Sequence, residues 1–158
     1  MLDKQEFYHG AAIIQIFEDP RYERLRKHEY GYLINDSVLV FLKYSTKSRS
    51  PWRFSFTQAE VMRLSSIMSS GWKVVVALVC GGDGVCALQW GTVEQVLGKD
   101  AGWVSVRRKF NESYGVSGPH GELQKKVQLQ QWPAIVFDSP AERGKPEDPA
   151  LGIQGGVV

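Results

Sequence analysis

With 158 residues, 43 % of them hydrophobic and 23 % charged, the chain fits one domain with an ordinary core, and two independent domain cores would be a squeeze. That composition excludes a disordered chain, and the longest apolar run, residues 74–80, is strand-sized and too short for a bilayer-crossing helix. Net charge is only +2, yet residues 21–73 carry ten Lys or Arg against four acids, a local excess of +6 that leaves −4 elsewhere and suits a polyanionic partner.

The first residues, Met1 to Glu6, are polar and acidic and lack the positive segment and apolar run of a secretory signal, so a cytoplasmic location is expected. Residues 3–18 predict an amphipathic helix, with Phe7, Ala11, Ile14 and Phe17 at helical spacing, Asp3 as cap and Asp19-Pro20 as stop. Gly10 weakens such a helix, which predicts close approach of a neighbouring element there. Residues 30–34 and 38–44 are β-rich and joined by Asn35-Asp36-Ser37, so a hairpin follows. Its register is open. A two-residue turn places Lys43 among Tyr30, Tyr32, Leu39 and Phe41, whereas a three-residue turn sets Glu29 across from Lys43.

Residues 45–51 are polar and basic and form a loop, and the alternating Trp52-Arg53-Phe54-Ser55-Phe56 is a short strand. Thr57 with Glu60 three positions later is a capping box, opening a helix that runs to about Ser69 and ends at Gly71. Residues 73–80 have the pattern of a strand buried on both faces, followed by a Gly-Gly-Asp-Gly turn and a partner strand over 85–90. A short helix over 92–97 closes at Gly98, Val104 and Val106 lie on a strand, and a peripheral hairpin turns at Gly118-Pro119-His120-Gly121. Residues 131–137 are predicted as a last strand. After that three of the seven prolines fall between 140 and 149, giving a globular domain over 1–137 and a flexible tail over 138–158. The element order predicts an α/β (α+β) fold with a central mixed sheet flanked by helices and a peripheral C-terminal β-hairpin.

Cys80 and Cys86 flank the glycine turn, and His9, His28 and His120 show no ligand spacing, so free buried thiols are expected, with no disulfide and no zinc. Lys43 draws attention because an ammonium at the end of an apolar strand must be paired, hydrated or functional. Glu6 from the first helix and Asp36 from the hairpin turn are of the type that holds Mg²⁺, with Lys43 stabilising developing charge. Lys47, Arg49, Trp52 and Arg53 form a candidate basic–aromatic patch for nucleic acid.

Glu6 to Gly10, then Tyr32-Leu33-Ile34-Asn35-Asp36 and Leu39-Val40-Phe41-Leu42-Lys43, resemble the opening of the restriction-endonuclease-like PD-(D/E)xK superfamily. That family places an acid on its first helix, an aspartate near one core strand and acid-x-lysine on the next. The resemblance implies a restriction-endonuclease-like core, a nucleic-acid partner and Mg²⁺ if the site is catalytic. It implies metal ligation by Glu6 and Asp36 and a catalytic group of Lys43, Asp36, Glu6 and, by register, Glu29. The position two before Lys43 is Phe41 where the pattern has an acid, so either Glu29 enters by register or the implied site is degenerate, binding rather than cutting. Residues 43–47 and 50–54 also resemble a group of uncharacterised bacterial proteins.

Three functions therefore stand from the sequence: a degenerate, non-cleaving module that binds DNA or RNA, a Mg²⁺-dependent nuclease, and a non-catalytic protein-interaction domain. A homodimer is compatible with each, and no membrane partner is expected.

Overall fold

A computed structural model describes residues 1–138. Helix α1 (Lys4–Phe17) opens with a reciprocal capping box, in which Glu6 N–H donates to Asp3 and Asp3 N–H donates to Glu6. Three antiparallel strands follow, β1 (Leu25–His28), β2 (Gly31–Ile34) and β3 (Val38–Ser45). The chain then leaves that sheet as β4 (Trp52–Phe56), crosses through α2 (Gln58–Ser69), and returns as β5 (Lys73–Cys80), parallel to β3. Strand β6 (Gly84–Gln89) completes a five-stranded mixed sheet in the order β1-β2-β3-β5-β6.

Helix α3 (Trp90–Leu97) leads to β7 (Gly102–Arg107), which pairs with β4. Strands β8 (Gly115–Gly118) and β9 (Gly121–Glu122) extend this second, four-stranded sheet, and α4 (Gln131–Phe137) packs beside β6. Alternation along β3 distributes its side chains between two cores. Leu39 and Phe41 join β4, β7, α2 and α3 on one side, while Val38, Val40 and Leu42 meet Ala12 and Ile16 of α1 and Trp132, Ile135 and Val136 of α4 on the other. Strand β5 is buried on both faces, which explains its unbroken apolar run. The mixed sheet flanked by helices agrees with the sequence. None of the helices among the described residues is long and apolar enough to cross a membrane.

Several expectations are corrected. The late hairpin is an edge of a second sheet that shares the core, because β4 carries Trp52, Phe54 and Phe56 on one face and needs β7 to cover its backbone. Strand β1 escapes a hydrophobicity reading because only Leu25 of Leu25-Arg26-Lys27-His28 is aliphatic, as suits a charged edge strand. Residues 131–137 form a helix. Pro133 lacks the N–H that a ladder would need but fits a first helical turn, and the preceding Trp132 is held extended at ψ 133°. On α1 the buried stripe is Ala12 and Ile16, with Tyr8 and Ile13 beside them, whereas Phe7, Ile14 and Phe17 face solvent. Gly10 likewise has no neighbour within 4 Å of where a Cβ would stand. The tail expected over 138–158 lies outside the described residues beyond Asp138.

Candidate functional site

The hairpin register settles the surroundings of Lys43. Ile34 pairs with Val38 and Tyr32 with Val40, so the connection is the three-residue Asn35-Asp36-Ser37, with Asn35 and Asp36 both at φ 53°. Carried onward, this register reaches Glu29 opposite Lys43. The ladder stops before that point because β2 turns back into β1 through Glu29 and Tyr30. Gly31 makes the tight turn possible: it sits at φ 141°, and a Cβ there would lie 2.0 Å from the Val40 carbonyl oxygen.

Lys43 ends the apolar stretch of β3 on the same face as Phe41. Its Nζ lies 3.1 Å from both carboxylate oxygens of Glu60, with side-chain exposures of 20 % and 22 % for the pair. The ammonium also sits 5.3 Å from the Phe41 ring centre and 5.2 Å from that of Phe56, so aromatic faces complete its surroundings. Glu60 does two jobs at once. It accepts the Thr57 N–H at 2.9 Å to cap α2, and it neutralises Lys43. The sequence revealed the cap and not the ion pair, since nothing local says that the first turn of α2 faces the end of β3.

An open cleft of about 420 Å³ surrounds this pair. Gln5 and His9 of α1 line one side, Lys27, Glu29 and Tyr32 another, and Arg53, Ser55 and Glu60 a third. Tyr8 stacks on Tyr44 with centres 5.1 Å apart, and Lys27 Nζ lies 5.0 Å above the Tyr32 ring. Burial pushes the His9 imidazole below its ordinary pKa, and the nearby Lys27 charge adds to the effect, so the cleft holds a neutral histidine near pH 7. Its Nδ1 stands 3.4 Å from the Tyr32 hydroxyl.

Of the residues singled out from the sequence, Lys43, Glu29 and Arg53 meet in this cleft. Glu6 and Asp36 do not line it. Glu6 is spent on the α1 cap, and its neighbours Gln5 and His9 face the cleft instead. Asp36 belongs to the turn at the opposite end of β3. There it pairs with Arg24 at 2.7 Å and Arg26 at 2.9 Å, and hydrogen bonds from Arg26 and Arg24 hold its carboxyl below the usual range. Glu6, Asp36 and Lys43 therefore do not form one site, because Asp36 lies in the turn before β3 and Lys43 is well along that strand, beyond its apolar residues 38–42. Among the described residues no three His, Cys, Asp or Glu side chains converge as metal ligands, and one of the two carboxylates beside Lys43 is already neutralised by it. This donor set does not fit a resident Mg²⁺.

The basic–aromatic patch is partly rearranged. Trp52 is 2 % exposed, its indole N–H donating to the Lys47 carbonyl at 2.9 Å, so it anchors the loop and presents no face. Lys47 and Arg49 are exposed, and Arg53 lies over Trp103 of β7, its guanidinium carbon 4.4 Å from the ring centre. Trp103 thus stands where Trp52 was expected. The pairing of Ser55 with Trp103 across β4 and β7 puts it there, and that pairing is long-range information. Arg107 lies four residues further along β7 than Trp103, on the same face. Among the described residues Lys27, Lys47, Arg53 and Arg107 have no acidic partner.

Comparison with protein-family models, with curated proteins and with solved structures finds no match to this chain.

Proposed function

We propose that this domain binds nucleic acid and does not cut it, through a basic surface that runs from the Lys43 cleft over Arg53 onto the outer face of the second sheet. The carrying observation is the run of acid-free cations Lys27, Lys47, Arg53 and Arg107 on adjoining concavities, with Arg53 shared between them. Phosphate contacts are made chiefly by such cations, and their number sets the salt dependence of binding. Tyrosines 30, 32 and 44 and Trp103 supply aromatic surface alongside.

The restriction-endonuclease-like core is part of this reading. It draws support from the order helix, three antiparallel strands, a strand of the second sheet, crossover helix and parallel strand, with the lysine in the second half of the third strand. Against catalysis stand Phe41 in the acid position, Glu60 neutralised by Lys43, and Asp36 committed to two arginines. Of the two carboxylates in the cleft, Glu60 is paired with Lys43, whereas Glu29 forms no ion pair among the described residues and is the one through which cleavage is tested.

Labelled single-stranded, duplex and branched DNA and RNA, incubated with the protein and Mg²⁺ or Mn²⁺, provide that test. The expectation is a shift in anisotropy with every substrate left at full length. Cleavage that disappears in Glu29→Gln would replace binding by catalysis, and no anisotropy change with any substrate would remove nucleic acid altogether.

A further inference from the structure

The outer face of the second sheet carries a concavity of about 480 Å³, separate from the Lys43 cleft and joined to it only through Arg53. Strand register builds it. Arg53 of β4 pairs with Ser105 of β7, and Ser105 pairs with Ser117 of β8, so the three side chains form one row across the sheet. Trp103 and Arg107 flank Ser105 at two-residue spacing on β7, and Lys47 leans in from the loop before β4. No acidic side chain lines the concavity.

Ser105 is the unexpected member. It is only 9 % exposed although it lies on the side of the sheet facing away from the core, and its hydroxyl has no hydrogen-bond partner among the described residues. A buried hydroxyl without a partner is costly to keep, and here it is surrounded by cations with no counter-ion. Both deficits are met by the same ligand. A phosphoryl oxygen accepts from hydroxyls and from guanidinium groups, and the planar fork of arginine matches it well. Arg53 now covers the Trp103 ring, an interaction weaker than a charge-assisted bond to phosphate. A phosphate entering the concavity therefore draws Arg53 off the ring and bares an aromatic face beside it.

We propose that this concavity is a nucleotide subsite. Arg53, Arg107, Lys47 and the Ser105 and Ser117 hydroxyls hold one phosphodiester, and Trp103 stacks the adjacent unpaired base. This deepens the nucleic-acid reading and rests on it. The preferred polymer is then single-stranded, because a paired base cannot lay its face on the indole.

The test compares a labelled ten-residue oligothymidylate with a duplex of equal phosphate number, and adds inorganic phosphate as a probe of the pocket alone. Trp103→Leu should weaken single-strand binding about tenfold and duplex binding less than twofold, and Trp103→Phe should restore most of the loss. Ser105→Ala should weaken the single strand about threefold, with a thermal midpoint at or above that of the parent protein. Inorganic phosphate should shift the Trp103 indole resonance in the parent and not in Arg107→Gln. Equal losses for both polymers in Trp103→Leu, or none, overturn the stacking subsite while leaving nucleic-acid binding in place. If the parent binds neither polymer but phosphate still moves the Trp103 signal, the parent reading and the stacking subsite both fail and a free-phosphate site remains. If phosphate moves nothing, the pocket itself is refuted.

Discussion

Replacing Glu60 by glutamine should make the protein less stable and a tighter binder of polyanions. Glutamine retains a side-chain carbonyl to accept the Thr57 N–H, so the capping box of α2 survives. What is lost is the partly buried ion pair with Lys43, worth about 1 kcal/mol at this exposure, and a negative charge in the first helical turn, worth about 0.5 kcal/mol. The sum, about 1.5 kcal/mol, lowers the thermal midpoint by about 3–6 °C at this chain length. Glu60→Ala removes the cap as well and should cost about 1 kcal/mol more. Binding moves the other way. Lys43 gains a free positive charge facing the cleft, which adds about 0.7 to the magnitude of the logarithmic salt slope for a single strand and raises affinity about fivefold near 0.1 M salt. Thermal melts by circular dichroism give the first number, and anisotropy titrations at four salt concentrations give the second. An affinity in Glu60→Gln equal to or below that of the parent refutes the view that Glu60 masks Lys43 from a bound polyanion.

Three further outcomes follow from other parts of the fold. Asp83 accepts from Arg108 Nε and Nη2 at 2.9 and 2.7 Å and from the fully buried Tyr114 hydroxyl at 2.9 Å, so Asp83→Ala strips the hydroxyl and those two Arg108 nitrogens of this acceptor, while Arg108 Nη1 keeps the Glu112 carbonyl at 3.2 Å. It should cost about 2–4 kcal/mol, read as a fall in denaturant midpoint, and a cost under 1 kcal/mol would contradict the network. The Arg108 hydrogen bonds hold the Asp83 carboxyl below its ordinary value, so its contribution is full above the unfolded carboxylate range and is lost as pH falls through the lowered folded value; Asp83→Asn should flatten that acid limb. His9 is also depressed, by burial and then by Lys27, so the folded state takes up its proton less readily than the unfolded chain. Stability should be full above the ordinary histidine value of 6.5, decline as pH falls from there to the lowered value, and level off below it, and His9→Gln should remove that step. Cys80 and Cys86 are both fully buried, and burial pushes the Cys80 thiol up to about 12, so iodoacetamide should label neither in the native protein and both in denaturant. Rapid native labelling would contradict the burial of β5 and β6.

Much of the framework was legible because local chemistry declares it. The Thr57–Glu60 box starts α2 and the unbroken run of 73–80 is the central strand. The site was less legible, because its geometry depends on which end of a strand a residue occupies. Asp36 and Lys43 are close in sequence and stand at opposite ends of β3. Helix α1 carries two apolar stripes, and spacing alone cannot say which one the sheet covers. Ala12 and Ile16 won over Phe7 and Ile14. The partners Glu60 for Lys43 and Trp103 for Arg53 come from elements 17 and 50 residues away, and only the assembled sheets bring them together.

The most direct measurement is the salt dependence of single-strand binding by the parent protein. With Lys27, Lys47, Arg53 and Arg107 engaged and Lys43 masked, log Kobs against log salt should fall with a slope of about −3, dropping in magnitude by about 0.7 in Arg53→Ala. A slope near zero, or one that Arg53→Ala leaves unchanged, contradicts a nucleic-acid surface centred on Arg53.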